Sequence, residues 1–149
     1  MKTFRELTVA VAIAAVAATT SVAVAAPQEI KGAAILEHPA TKTAIANMSL
    51  MHAGKVEEAV KMGTKAMQKE WNALPAEDRK MMSEMMQTFA VADAEFRSQV
   101  LKFGVLSIDG GRATLVVQEE KKDENGSSTS TQTVRLQLED GEWRVTKGD

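Results

Sequence analysis

The sequence predicts an α+β domain in which about three N-terminal helices pack on a four-stranded antiparallel sheet. Apolar residues recur at three- and four-residue steps through residues 39–90, which is the helical period. Residues 94–147 instead show β-branched runs, alternation and turns rich in Gly, Asp and Asn. Helices followed by a meander of strands indicate a sheet whose one face carries the helices.

The N-terminus has the pattern of a secretory signal peptide. Lys2 and Arg5 precede a short run of small apolar residues, and Ala23-Val24-Ala25 satisfies the small-x-small cleavage rule. The apolar run is shorter than the roughly 20 residues that span a bilayer, so no stable membrane anchor is expected after cleavage. We therefore expect a signal peptide over residues 1–25, a linker over 26–36, one domain over 37–149, and a periplasmic or secreted protein cut after Ala25.

Composition narrows the chemistry of the chain. It has 149 residues and contains neither Cys nor Tyr, which excludes thiol nucleophiles, disulfides and Cys-containing metal sites. Without residues 1–25 it keeps 16 basic and 19 acidic residues, a net charge of −3. This balance gives no electrostatic reason to expect nucleic acid as a partner. No phosphate loop, metalloprotease helix or serine elbow occurs, so the sequence predicts no cofactor.

Three helices are predicted in the first half. The first helix is predicted to begin at Pro39, because the first helical residue needs no N–H for an intrahelical hydrogen bond. It is predicted to end at Gly54, a residue type common at helix C-termini. A second helix is expected from Lys55 to Leu74. Pro75, followed by acidic residues that favour the positive end of a helix dipole, opens the third. The apolar stripe predicted for that third helix is Met82, Met85, Met86 and Phe89.

Four antiparallel strands are predicted in the second half. A long strand is expected over 94–108, bent by a bulge near Gly104, and Asp109-Gly110-Gly111 then predicts a tight hairpin. A second strand, antiparallel to the first, is predicted over residues 112–121, and residues 123–129 are predicted to form a polar loop. Strand 131–139 alternates, with Leu136 on its apolar face. After the turn at Asp140-Gly141, Trp143 and Val145 are expected to face inward.

Two short motifs carry a family resemblance. The first is the helix junction His52-Ala-Gly54-Lys55-Val-Glu-Glu-Ala59, and the second is the closing hairpin Asp140-Gly141-Glu-Trp143-Arg-Val145. Over residues 37–147 the chain resembles the nuclear-transport-factor-2-like, cystatin-like superfamily of α+β cones, particularly its small exported bacterial members of unknown function. The resemblance implies a curved sheet wrapped around the helices and a conical apolar pocket, which some members use for catalysis and many for binding alone.

The primary functional hypothesis is an exported, non-enzymatic binding module. Its partner would be a small apolar ligand or a protein, and it would be a monomer or a homodimer. Large adaptable apolar side chains dominate ligand cavities. On that basis the expected pocket residues are Met51, Met67, Trp71, Met85, Phe89, Phe96, Phe103 and Trp143.

An isomerase or hydratase is the first alternative. Isomerases of the cone superfamily pair a carboxylate with a tyrosine donor, and because this chain has no Tyr, no catalytic residue carries over from the resemblance. The base would be Asp93, Glu95, His38 or His52. Two residues apart on a strand, Asp93 and Glu95 would point to the same side, where they could share a proton or a cation.

Copper handling is the second alternative. Soft thioether and imidazole ligands suit Cu(I), which an exported protein could meet. Met is also a common filler of irregular cores, and most of these residues follow core spacing, with Met81 the one expected to be exposed. The candidate ligands are Met48, Met51, His52, Met81 and Met85.

Overall fold

The computed structural model describes residues 26–147 and confirms the α+β class. Within that range there are six helices and one antiparallel sheet of five strands in the order β1-β2-β3-β4-β5. The proposed signal peptide, residues 1–25, lies outside the described residues. No helix in the described range is both long and apolar enough to cross a membrane. The elements are β1 Gln28–Ile30, α1 Ala33–Glu37, α2 Pro39–His52, α3 Val56–Lys61, α4 Lys65–Ala73, α5 Ala76–Phe89, α6 Asp93–Phe103, β2 Gly104–Asp109, β3 Arg112–Asp123, β4 Gly126–Glu139 and β5 Glu142–Thr146.

The segment expected to be a linker is part of the fold. Strand β1 pairs with β2, with Gln28 opposite Ile108 and Ile30 opposite Leu106. Helix α1 follows and buries Ile35 completely. Elements this short show too few residues for a period to be recognised in the sequence. They are stabilised by their contacts with the edge of the sheet and with the core.

The predicted second helix is broken in two at Gly63. The backbone N–H of Thr64 donates to the carbonyl of Val145 at 2.9 Å, and the N–H of Val145 donates to the carbonyl of Met62 at 3.0 Å. The chain leaves the helix there to bond the free edge of β5. Thr64 then restarts the helix as its N-cap, with its hydroxyl accepting from the N–H of Met67 at 3.3 Å.

The start of α4 is also joined to the β4–β5 turn. The ammonium of Lys65 lies 2.7 Å from the carboxylate of Asp140, and its backbone N–H donates to Glu139 Oε1 at 3.0 Å. This hydrogen bond raises the pKa of Lys65 and lowers the pKa of Asp140. Both side chains are exposed, so the contact adds local order more than stability.

The first predicted strand, 94–108, is wrong over most of its length. Residues Asp93–Phe103 form helix α6, and only Gly104–Asp109 form a strand. Phe96 and Val100, one helical turn apart, are both fully buried. The position predicted as a bulge, Gly104, is instead the joint between helix α6 and strand β2.

The polar loop predicted over 123–129 is a tight turn at the end of a long hairpin. Strands β3 and β4 pair without interruption from Arg112 opposite Gln137 to Asp123 opposite Gly126. The carboxylate of Asp123 accepts a hydrogen bond from the N–H of Asn125 at 2.8 Å and so stabilises the turn. The polar residues are therefore the outer end of two strands, which need no apolar face because no helix covers them.

One core lies between the helices and the inner face of the sheet. Helices α1, α2 and α6 contribute most of its helical side, and β2, β3 and β4 supply alternate apolar residues. Trp143 and Val145 are partly buried against it, and their inward prediction is confirmed. The largest fully buried apolar side chains are Phe96, Ile35, Ile45, Leu106, Leu115, Leu136 and Val100.

Candidate functional site

An apolar groove runs between helices α2 to α5 and the end of the sheet near β5. It consists of two adjoining cavities of about 260 Å³ and 290 Å³ that share Val60, Met67 and Met86 as walls. We call it the methionine groove. Its other apolar lining residues are Met48, Met51, Val56, Ala59, Val134 and Val145 in the first cavity, and Trp71, Leu74 and Met82 in the second.

Helix α5 forms one wall of this groove. Met82 and Met86, one turn apart, line the groove and are half-buried, and no residue of α5 is fully buried. The C-terminal end of the helix is held near the end of α2, where the Gln87 amide lies beside Gly54 and His52 Nδ1 is 3.3 Å from the carbonyl of Ala90. Flexible thioethers on a helix with this little burial give the groove an adaptable wall.

Helix α4 forms the facing wall. Trp71 is 5% exposed, and its indole N–H donates to a carboxylate oxygen of Glu57 at 3.0 Å, which fixes the ring against the groove. Met67 lies one turn before Trp71 on the same side of α4. A fixed aromatic ring beside a flexible thioether is a common composition for an apolar binding site.

Polar and charged residues also line both cavities. Asn47 is buried and lines the first cavity, and its Nδ2 donates to the carbonyl of Ala59 at 2.9 Å. Lys147 borders the second cavity and lies 3.2 Å from Glu70. The groove is therefore mainly apolar. Its polar and charged lining residues are Asn47, Thr133, Arg135 and Thr146 in the first cavity, and Glu70 and Lys147 in the second.

Three of the eight predicted pocket residues lie in the groove: Met51, Met67 and Trp71. Trp143 lines a separate surface depression with Pro39 and Met62. Phe96 is fully buried in the core, since it lies on α6 and not on a strand. The remaining three are exposed: Met85 by 51%, Phe89 by 73% and Phe103 by 39%.

The sequence prediction missed Met82, Met86, Val60 and Asn47 as groove residues. Met82 and Met86 were in the predicted stripe of the third helix, but the helix is rotated so that this pair faces inward while Met85 and Phe89 face solvent. The i,i+4 spacing of two such pairs is identical, so spacing alone does not choose between them. Asn47 carried no signal, because a buried amide is recognised only by its partner.

The four candidate bases do not come together in the groove. Asp93 and Glu95 lie in the first turn of α6, where two residues of separation places them on different sides. Their prediction as a same-side strand pair is wrong: Asp93 pairs with Arg97 at 2.9 Å, and Glu95 accepts from Gln99 at 3.4 Å. His52 is exposed near Ala90. Burial lowers the pKa of His38, which caps α2 by accepting from the N–H of Ala40.

The five copper candidates are also dispersed. Met48 is 8% exposed in the core, Met51 lines the groove, and His52 is exposed at the end of α2. Met81 and Met85 are 64% and 51% exposed and lie one turn apart on the outer side of α5. Within residues 26–147, no three His, Asp or Glu side chains group closely enough to hold a metal ion.

Comparison with known proteins returned no match to a family model, to a curated protein or to a solved structure. The functional interpretation therefore depends on the geometry of the chain itself.

Proposed function

We propose that this protein is an exported binding protein that holds a small apolar ligand in the methionine groove. The observation that carries the proposal is the continuous apolar wall of Val60, Met67 and Met86 shared by two cavities. Flexible thioethers adapt to the shape of a bound molecule, and a concave, mainly apolar site of this size suits a small apolar ligand. The same groove would also accommodate an apolar segment of a partner protein. Native mass spectrometry of the purified protein distinguishes a retained small ligand from a retained protein partner by the added mass.

We also propose that the chain is an exported member of the cone superfamily that its sequence resembles. An antiparallel sheet with helices α1, α2 and α6 packed against its inner face, and a groove lined in part by β4 and β5, support this proposal. In such a fold the groove is the mouth of the cone. The apolar run and Ala23-Val24-Ala25 support export.

Binding of the environment-sensitive dye N-phenyl-1-naphthylamine tests the groove. We expect dye fluorescence to rise on binding and Trp71 emission, isolated in a Trp143→Phe background, to change with it. Met86→Glu should weaken binding at least tenfold, because it places a charge in the apolar wall. Met85→Glu is the matched control on the exposed side of the same helix, and equal effects of the two variants would contradict the proposal.

The buried amide at Asn47 gives the ligand a preferred chemistry. Asn47 lines the first cavity and its Nδ2 is bonded to Ala59, so its side-chain oxygen is the acceptor that we propose for the ligand. An apolar molecule with one hydrogen-bond donor, such as a long-chain alcohol, would donate to it. We expect such an alcohol to displace the dye at lower concentration than its methyl ether does. Equal potency of the two compounds would show that Asn47 takes no part in ligand binding.

Binding of Cu(I) by Met81 and Met85 is a second candidate function. The observation that favours it is the exposure of two thioethers one helical turn apart, since metal-carrying methionines must be accessible. Competition with a colorimetric Cu(I) chelator tests it. Met81→Leu with Met85→Leu should abolish binding and Met82→Leu with Met86→Leu should preserve it. Binding no tighter than that of free methionine would refute the copper function.

A further inference from the structure

The β3–β4 hairpin extends beyond the rest of the sheet. Strand β2 covers β3 only as far as Val117, and β5 covers β4 only from Arg135 onward. Past those points, among the residues that the structure describes, β3 and β4 pair only with each other, out to Asp123 opposite Gly126. Every residue from 120 to 131 is exposed. An isolated two-stranded ribbon of this kind is only marginally stable in water, so it gains from an additional strand.

The hydrogen-bonding phase shows which backbone groups of this ribbon are free. The N–H of Leu138 donates to the carbonyl of Gly111 at 2.7 Å, so even-numbered residues of β4 bond to β3. The backbone N–H and C=O groups of the odd-numbered residues of β4 point away from β3. From Arg135 onward these groups pair with β5. Ser127, Thr129 and Thr131 lie beyond the end of β5, with no paired strand on that side in the described range.

The two edges of the ribbon differ in charge. The β3 edge carries five consecutive charged residues, from Glu119 to Asp123. Charged side chains on an exposed edge strand are a common means of preventing unwanted strand pairing. On the β4 side residues 126–134 contain no charge and no proline. Ser and Thr dominate this edge, and they form favourable pairs across strands.

We propose that the free edge of β4 over residues 127–131 pairs antiparallel with the same edge of a second copy of this chain. An antiparallel strand pair has two-fold symmetry, so an uncharged edge meets itself with no like charges opposed. Within residues 26–147 the ribbon has one uncharged edge of this length and its opposite edge is charged, so the assembly closes as a dimer. The ribbon buries little surface, so the dimer is weak and concentration-dependent.

Sedimentation velocity of the purified protein from micromolar to near-millimolar concentration measures the dimer. Thr129→Lys should weaken dimerisation about tenfold or more, because the two-fold axis brings two lysines together. Gln118→Lys, on the already charged β3 edge, should leave it unchanged. A protein that stays monomeric throughout this range, or a loss of the dimer that is equal in both variants, would overturn the proposal.

Crosslinking tests the geometry independently of affinity. The chain has no native Cys, so single replacements Ser128→Cys, Thr129→Cys and Ser130→Cys can each form a disulfide only with a second copy. We expect at least one of them to crosslink rapidly, because facing residues in paired strands have Cα atoms within disulfide range. Lys121→Cys on the other strand is the control. Crosslinking no faster than this control in all three variants would refute pairing at the β4 edge.

Discussion

The imidazole of His38 lies against the indole of Trp143, with ring centroids 6.0 Å apart and an angle of 60° between the rings. His38 Nδ1 also accepts a hydrogen bond from the backbone N–H of Ala40 at 3.1 Å and caps helix α2. Accepting that bond requires an unprotonated Nδ1, and burial lowers the pKa of the ring below 6.5. The joint between α2 and β5 is therefore sensitive to acid.

Acidification should destabilise the protein through His38. Because the folded-state pKa is below 6.5, the unfolded chain takes up a proton first as the pH falls. The stabilisation is present above pH 6.5 and is lost as the pH falls through the folded pKa. His38→Asn keeps an N-cap acceptor that does not titrate, so urea unfolding should show a smaller acid loss in this variant. An unchanged pH dependence would assign the acid sensitivity to other groups.

Phe96 should be essential to the core although Phe89 is not. Phe96 is fully buried on α6, and Phe89 is 73% exposed on α5. Phe96→Ala should lower the free energy of unfolding by about 3–5 kcal/mol, whereas Phe89→Ala should change it by under about 0.5 kcal/mol. Chemical denaturation measures both. Similar losses in the two variants would contradict the placement of α5 and α6.

Replacing Gly104 with a larger residue should destabilise the fold for steric reasons alone. Its backbone has φ −76° and ψ 141°, which any residue adopts, but an added Cβ would lie 2.3 Å from the carbonyl oxygen of Val100. Gly104→Ala should therefore cost about 1–3 kcal/mol by forcing the α6–β2 joint apart. Gly111→Ala is the control, since its Cβ would meet only Leu138 at 3.7 Å. If Gly104→Ala left the stability unchanged, the result would support a continuous, bulged strand through Gly104 and contradict a helix–strand joint there.

Peroxide should oxidise the methionines in order of exposure. Met81 and Met85 are 64% and 51% exposed, and Met48 is 8% exposed. Peptide mass spectrometry during hydrogen peroxide treatment should find sulfoxide first at Met81 and Met85 and last at Met48. A bound apolar ligand should slow oxidation of Met86, which lines the groove, and leave Met81 unaffected. Early oxidation of Met48 would contradict its core position.

The candidate site shows where sequence reasoning was reliable and where it was not. Met67 and Trp71 were predicted because they share a helical face, and that face does line the groove. Met85 and Met86 differ by one position, and only the second faces inward. A helical period fixes which residues share a side, but the rotation of a helix about its axis depends on what it contacts. For α5 those contacts are few, so the sequence carries little information about its rotation.

The sequence by itself determined the α+β class, helix α2 with its Pro39 start, the third helix, and the inward face of β5. Each depends on local signals: period, a terminal residue or a tight turn. Only the tertiary structure decided that residues Asp93–Phe103 are helical, that the chain breaks at Gly63 to bond β5, and that β1 and α1 complete the core. These features depend on partners distant in the sequence, and the free energy of burying Phe96 or pairing Val145 does not exist until those partners meet.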